Sequence, residues 1–281
     1  MAELAGDGRA RRERQRHRAS SGSRPNASHR ASAPAHERRL YRASPSDLSG
    51  DPVELAPRLL GGIFRVDDVA VRLTEVEAYC GLADPGSHAY QRLTPRTQIM
   101  AGRPGHIYVY FSYGMHHAVN VVAHDDGEVG AILLRAGEIV DGIEMARARR
   151  IELRLARTSR STRTSDSQYS PSIPDTHLTR GPGNLAAALG LTRTDDGAPL
   201  NHDDHAGLLA PDSLDSDTRP RRYELWLPTH PASPDAYVST GRTGVSGEGG
   251  DPGRYPWRFA LTGEPTVSPY RPAAPKTRPR S

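Results

Sequence analysis

The chain has 281 residues, a formal net charge of +4, 36% hydrophobic residues and one cysteine. This length suits one domain of roughly 200 residues with tails, and the lone Cys80 excludes an intramolecular disulfide framework. No apolar run approaches the roughly 18 residues of a membrane span, and the first residues lack the apolar stretch of a secretory signal. A cytoplasmic protein without membrane contact is therefore expected.

Residues 1–40 hold 10 Arg against four acids, a net +6 that leaves −2 for residues 41–281. Few large apolar side chains accompany them, so this stretch is expected to be a disordered Arg-rich extension. A DNA-tethering arm, a targeting segment and a misassigned translation start are the readings open for it, and a transit peptide would usually lack acids such as Glu3, Asp7, Glu13 and Glu37. The folded domain is expected over 41–269, followed by a disordered Pro/Arg tail over 270–281.

A helix should open at Pro52, with Asp51 as N-cap and Glu54 completing a capping box. Pro57 lies inside it, and an interior proline costs about 3 kcal/mol, so a kink or an early end is expected. Next, Val69, Val71 and Leu73 alternate with Ala70, Arg72 and Thr74, the period of a half-buried strand. Continuing that period puts Glu75, Glu77 and Tyr79 on the valine face. A face that turns from aliphatic to acidic is costly unless the carboxylates reach a cleft. The plainer alternative is a bulge that returns both to solvent.

A hairpin follows. Ile107, Val109 and Phe111 alternate with Tyr108, Tyr110 and Ser112, and His117, Val119 and Val121 alternate with Ala118, Asn120 and Val122. The turn signal Tyr113-Gly114-Met115 puts an aromatic at the tip. There it is either a chance surface residue or a minor-groove wedge that fills the gap left by an extruded nucleotide. Tyr108 and Tyr110 share a face, as core aromatics or as a pocket wall.

Residues 155–179 are rich in Ser, Thr and Pro and are expected to be a flexible insertion. Arg180-Gly181-Pro182-Gly183 then leads into a short Ala/Leu helix closed by Gly190. The free amides at its start suit a phosphate, with a simply capped helix as the alternative. Asn201-His202-Asp203-Asp204-His205 has metal-ligand content but lacks a second cluster, so no metal site is expected. Arg258 and Phe259 in PWRFAL read as a late strand.

These blocks carry a resemblance. TEVEAYCG, SHAY, TPR, GRPGHIYVYFSYGMHHAVNVV, AILLRA, RGPGNLAAALG and PWRFALTGEPTVS resemble the alkyladenine (3-methyladenine, methylpurine) DNA glycosylase family in order and spacing, from about Leu48 to Ser268. The resemblance implies an α+β fold: a single domain whose curved, mostly antiparallel sheet is flanked by helices, with a protruding DNA-inserting β-hairpin. It implies that Glu77 is the catalytic residue that activates water, with Arg135 beside it. It places Tyr79, His88, Tyr110 and Asn120 around the flipped base, Asn120 disfavouring the guanine amino group, and Tyr113 in the intercalating position. Arg92 and Arg96, with the amides of Gly181 and Gly183, are candidates for the DNA backbone. Two departures stand out: Thr97 follows TPR where the family commonly has Asn, and Pro57 interrupts the first helix.

The chemistry is consistent with that resemblance. Cleaving a glycosidic bond creates oxocarbenium character, which a carboxylate stabilises while it takes a proton from water. Arg135 would hold Glu77 ionised. Aromatic faces favour an electron-poor alkylated base. The only lysine, Lys276, lies in the tail, so a Schiff-base step is not expected and simple hydrolysis is. The expected partner is double-stranded DNA containing damaged purines, bound by a monomer without a cofactor. A nucleoside or glycoside hydrolase of different substrate, or a non-catalytic DNA-binding protein, are the alternatives.

Overall fold

In the computed structural model, the described residues are 39–112, 116–161, 172–201 and 221–273. The strands are β1 (Leu40–Arg42), β2 (Ile63–Val66), β3 (Val69–Tyr79), β4 (Ile107–Ser112), β5 (His116–Val122), β6 (Ala131–Asp141), β7 (Tyr223–Pro228), β8 (Tyr237–Thr240) and β9 (Arg258–Leu261). They form a nine-stranded sheet in the order β1-β7-β2-β3-β6-β5-β4. Every strand pairing among the described residues is antiparallel. The long β3 pairs β2 along its first half and β9 along its second, with β8 outside β9.

Among the described residues, three α-helices join the sheet: α1 (Pro52–Leu55), α2 (Ile143–Ser161) and α3 (Pro182–Ala188). The proline argument holds for α1, which gives way at Ala56 to a 3-10 turn over Ala56–Leu59. Its cap is the Asp51 carboxylate accepting from the Val53 amide at 2.8 Å. Pro182 starts α3, and Gly190 follows it at φ +67°, a conformation that glycine adopts without steric cost. The resulting mixture of one mainly antiparallel sheet with few helices fits the expected α+β class.

Of the expected insertion over 155–179, residues 162–171 lie outside the described residues, and its two ends are described. α2 continues through residues 155–161, and residues 172–179 fold back on it. Arg147 donates to the Ile173 carbonyl at 2.8 Å and Arg150 to the Leu178 carbonyl at 3.0 Å. Leu178 and Thr179 are fully buried, with the Thr179 hydroxyl donating to the Gly137 carbonyl. Residues 172–179 stay irregular apart from the 3-10 turn Asp175–His177, and these long-range contacts tie them to α2 and β6.

The sheet has two covered faces. On one, Val71, Leu73, Val76, Ala78, Val119, Val121, Ile132 and Leu134 form the main core with Ala146 of α2 and Leu185, Ala186 and Ala188 of α3. Each large aliphatic there contributes about 1.5–3 kcal/mol by burial. On the other, Tyr108, Val122 and Ala131 form a smaller cluster with Ala89 and Met100, from the segment that joins β3 to β4.

The register of β3 decides which face receives the acids. It shifts between Leu73 and Glu75, and again between Glu75 and Val76. The strand therefore swaps faces at Thr74–Glu75: Val71 and Leu73 lie in the main core, and so do Val76 and Ala78. Glu75 and Glu77 thus leave the valine face on which unbroken alternation puts them. They do not reach solvent either, because both are fully buried.

Candidate active site

Cross-strand pairing brings the second face together. Glu77 of β3 lies opposite Leu133 of β6, Leu133 opposite Asn120 of β5, and Asn120 opposite Tyr108 of β4. Direct partners in a sheet share a face. A cavity of about 450 Å³ opens over it, lined among others by Tyr79, His88, Arg96, Tyr108, Tyr110, Asn120, Arg135 and Thr243. That volume lies within the roughly 300–1,000 Å³ typical of small-molecule pockets.

Glu77 sits under this lining, held by three of the lining residues. Its Oε1 accepts from the Thr243 amide at 2.7 Å and lies 3.1 Å from an Arg135 guanidinium nitrogen. Its Oε2 accepts from the Tyr79 hydroxyl at 2.8 Å. The surroundings balance it electrically. Glu75 Oε1 lies 2.7 Å from Nε of both Arg135 and Arg258, so two buried acids face two buried arginines. Glu75 also accepts from the Ser268 amide at 2.7 Å and the Ser268 hydroxyl at 2.8 Å. Burial alone would raise the Glu75 pKa, but Arg135, Arg258 and the Ser268 amide outweigh it and hold it below the ordinary carboxylate value. Burial works against the Arg135 charge, yet Glu77 and Glu75 push its pKa up, so it remains a cation.

Behind Tyr79 lies a second buried ion pair. Arg242 is fully buried and donates to Asp84 at 2.5 and 2.7 Å and to the Ala78 and Gly249 carbonyls. Its guanidinium carbon stands 4.7 Å from the Tyr79 ring centroid and 5.0 Å from that of Trp257. A Cβ at Gly86 would come within 2.2 Å of this guanidinium, which gives the glycine of the DPGSHAY stretch a steric reason.

The aromatic wall is tight. The rings of Tyr108 and Tyr110 are 5.4 Å apart, and His88 meets Tyr110 edge-on at 4.5 Å. The Tyr108 hydroxyl lies 3.3 Å from His88 Nδ1. Desolvation of the imidazole and the Arg96 cation both lower the His88 pKa. Desolvation also raises the pKa of Tyr110, which therefore stays a neutral phenol. Asn120 is buried and donates from its amide nitrogen to the Tyr108 carbonyl at 3.0 Å, which fixes the direction of its other atoms. Thr97, the departure after TPR, closes its own turn: its hydroxyl accepts from the Thr94 amide at 2.9 Å.

Among the expected site residues, Tyr79, His88, Tyr110, Asn120 and Arg135 thus line one cavity, Glu77 is held beneath that lining by Tyr79 and Arg135, and Arg96 stands exposed at its mouth, 5.5 Å from the Tyr110 ring centroid. Arg92 is exposed and is not part of the cavity lining. Gly181 has open space where a side chain would project, whereas a Cβ at Gly183 would lie 2.9 Å from the His116 side chain, so close packing already requires that glycine. Tyr113 and the histidines of the Asn201–His205 stretch lie outside the described residues. No group of three or more potential metal ligands occurs among the described residues, and none of their helices is long and apolar enough to cross a membrane.

Thr243, Arg242, Arg258, Ser268 and Glu75 were not foreseen as site residues. Thr243 acts through a backbone amide, which leaves no mark on residue identity. The others come from segments far apart in the chain. Only the pairing of Glu75 with Glu77 at alternate strand positions gave a hint.

Comparison with known proteins agrees with the geometry. The family described as methylpurine-DNA glycosylase matches residues 46–265. A protein of Streptomyces avermitilis is 41% identical over 230 residues, covering 80% of this chain and 90% of the relative. One of Leifsonia xyli subsp. xyli is 42% identical over 224 residues (78% and 88%), and one of Nocardia farcinica 42% over 240 residues (83% and 94%). All three carry the name "Putative 3-methyladenine DNA glycosylase".

Proposed function

The chain belongs to the methylpurine-DNA glycosylase family, and we propose that its cavity receives a damaged purine turned out of duplex DNA while Glu77 directs water at the glycosidic carbon. The protein is a base-excision-repair DNA glycosylase, a hydrolase of N-glycosyl bonds that acts on DNA. The observation that carries the mechanism is the placement of Glu77: a buried carboxylate fixed by three donors directly beneath an aromatic cavity.

The proposed steps run as follows. Extruding a nucleotide costs a few kcal/mol, less when the base is damaged. Tyr113 fills the vacated stack, and Arg92, Arg96 and the Gly181 and Gly183 amides hold the backbone. Tyr79, Tyr110 and His88 enclose the base, and Asn120 disfavours the guanine amino group. As the glycosidic bond breaks, the Glu77 carboxylate stabilises positive charge on the sugar and takes a proton from the attacking water. Arg135, 3.1 Å from that carboxylate, sets a permanent positive charge beside it. The base leaves and an abasic site remains. The only lysine is Lys276, which supports simple hydrolysis over a lysine-bound intermediate. Alkylated and deaminated purines of the 3-methyladenine and hypoxanthine type fit this scheme, bound by one protein molecule.

The test is excision from a duplex with one hypoxanthine or ethenoadenine, followed by alkali. Wild type should give strand cutting only after alkali, while Glu77→Gln should bind the lesion duplex without cutting. Cutting by Glu77→Gln at the wild-type rate would remove Glu77 from the mechanism. Turnover of free nucleosides without duplex would point to a nucleoside hydrolase instead.

A further inference from the structure

We infer, on the basis of the glycosylase reading, that the Tyr79 hydroxyl is a positioning group: it aims the Glu77 carboxylate while the ring of the same side chain bears on the extruded base. Glu77 and Tyr79 are two apart on β3 and therefore share a face. Glu77 Oε1 already takes the Thr243 amide and an Arg135 nitrogen, whereas Oε2 takes the Tyr79 hydroxyl at 2.8 Å. A carboxylate oxygen accepts about two hydrogen bonds. Oε2, oriented by Tyr79, is thus the oxygen with capacity left for the proton of the attacking water.

Tyr79 is built to hold that position. The Arg242 guanidinium lies 4.7 Å from its ring centroid and is itself locked onto Asp84, so the ring has a rigid support. Burial, reinforced by the Glu77 charge, drives the phenol pKa well above its ordinary value, which keeps the hydroxyl a donor. The ring also lines the cavity. One rigid side chain therefore links what fills the pocket to where the carboxylate points.

Tyr79→Phe keeps the ring and removes the hydroxyl; Tyr79→Leu removes both. Single-turnover excision of hypoxanthine from duplex, with enzyme in excess, is measured beside lesion-duplex binding by anisotropy. Rates are normalised to the lesion-binding fraction, so a variant that folds incompletely still reports. Tyr79→Phe should bind within about twofold of wild type and excise about 10- to 100-fold more slowly, the range for losing a hydrogen bond to a charged group. Tyr79→Leu should lose both binding and rate. Equal excision by Tyr79→Phe and wild type, or a loss of binding that accounts for the whole effect, would overturn the inference and leave the glycosylase reading intact. Failure of wild type to excise any damaged purine would overturn that reading and this inference with it.

Discussion

Arg135 bridges two buried carboxylates of one strand: its Nε lies 2.7 Å from Glu75 Oε1, and a terminal nitrogen lies 3.1 Å from Glu77 Oε1. The bridge depends on the double register shift at Thr74–Val76, which turns both acids onto the cavity side. Glu75 is the anchored end, shared with Arg258 and Ser268. Glu77 is the end beside the pocket lining. The arrangement sets two buried arginines against two buried carboxylates, with Glu75 within hydrogen-bonding distance of both and Glu77 of Arg135.

Replacing Glu75 with Gln should destabilise the fold by about 3–5 kcal/mol, because Arg135 and Arg258 would be left with one buried acid between them. Urea unfolding at pH 7 measures this. The wild type has a linked acid sensitivity. Glu75 titrates below its ordinary 4.5 in the folded protein, so its stabilisation is present above that pH and is lost as pH falls through the lower folded value. Glu75→Gln should lose that component of the pH dependence. Unchanged stability would mean that the network is not a structural anchor.

Backbone contacts should show in the salt dependence of DNA binding. The folded residues carry no global excess of positive charge, so a few arginines must serve. If Arg96 meets a phosphate, Arg96→Ala should lower the slope of log affinity against log salt by about 0.9, with little change in lesion preference. Arg92→Ala should act likewise. An unchanged slope would leave Arg96 to its contacts within the protein, the Tyr110 ring and the Phe111 carbonyl.

The legible and illegible parts of the sequence divide along physical lines. Alternation in residues 107–122 gave the β4–β5 pairing, since each side chain reports its face directly. Pro57 likewise announced the end of α1 through its missing amide. The face of Glu77 is open in the sequence, where unbroken alternation and a bulge compete, because a bulge adds one residue without any compositional mark. The supports of Glu77 and Tyr79 were also hidden: Arg242 and Thr243 lie more than 160 residues along the chain, and their contacts exist only once β3 has found its partners.

Cys80 adjoins Tyr79 and invites a nucleophilic role, but its environment argues otherwise. Burial, with Asp51 and Asp84 nearby, pushes the thiol up to about 12. The thiolate is therefore scarce at neutral pH. Cys80→Ser should excise at the wild-type rate, and iodoacetamide at pH 8 should modify the native protein far more slowly than the urea-unfolded one. Loss of activity in Cys80→Ser with unchanged lesion binding would contradict this.

His88 should make lesion choice depend on pH. Desolvation and the Arg96 cation hold its pKa below the ordinary 6.5, so it is neutral at pH 7 and gains its proton only in acid. The unfolded chain takes that proton first. Any contribution to stability is therefore unchanged above about pH 6.5 and turns unfavourable as pH falls through that value. In the pocket, protonation would add a further cation near the base, beside Arg96. A base that is itself cationic, such as 7-methylguanine, should then be disfavoured more than neutral hypoxanthine. The measurement is the ratio of single-turnover excision rates for the two lesions between pH 8 and pH 5. The ratio of cationic to neutral excision should fall toward acid in wild type and stay flatter in His88→Gln, which cannot take up the charge. Identical profiles for the two proteins would show that His88 protonation does not reach the base.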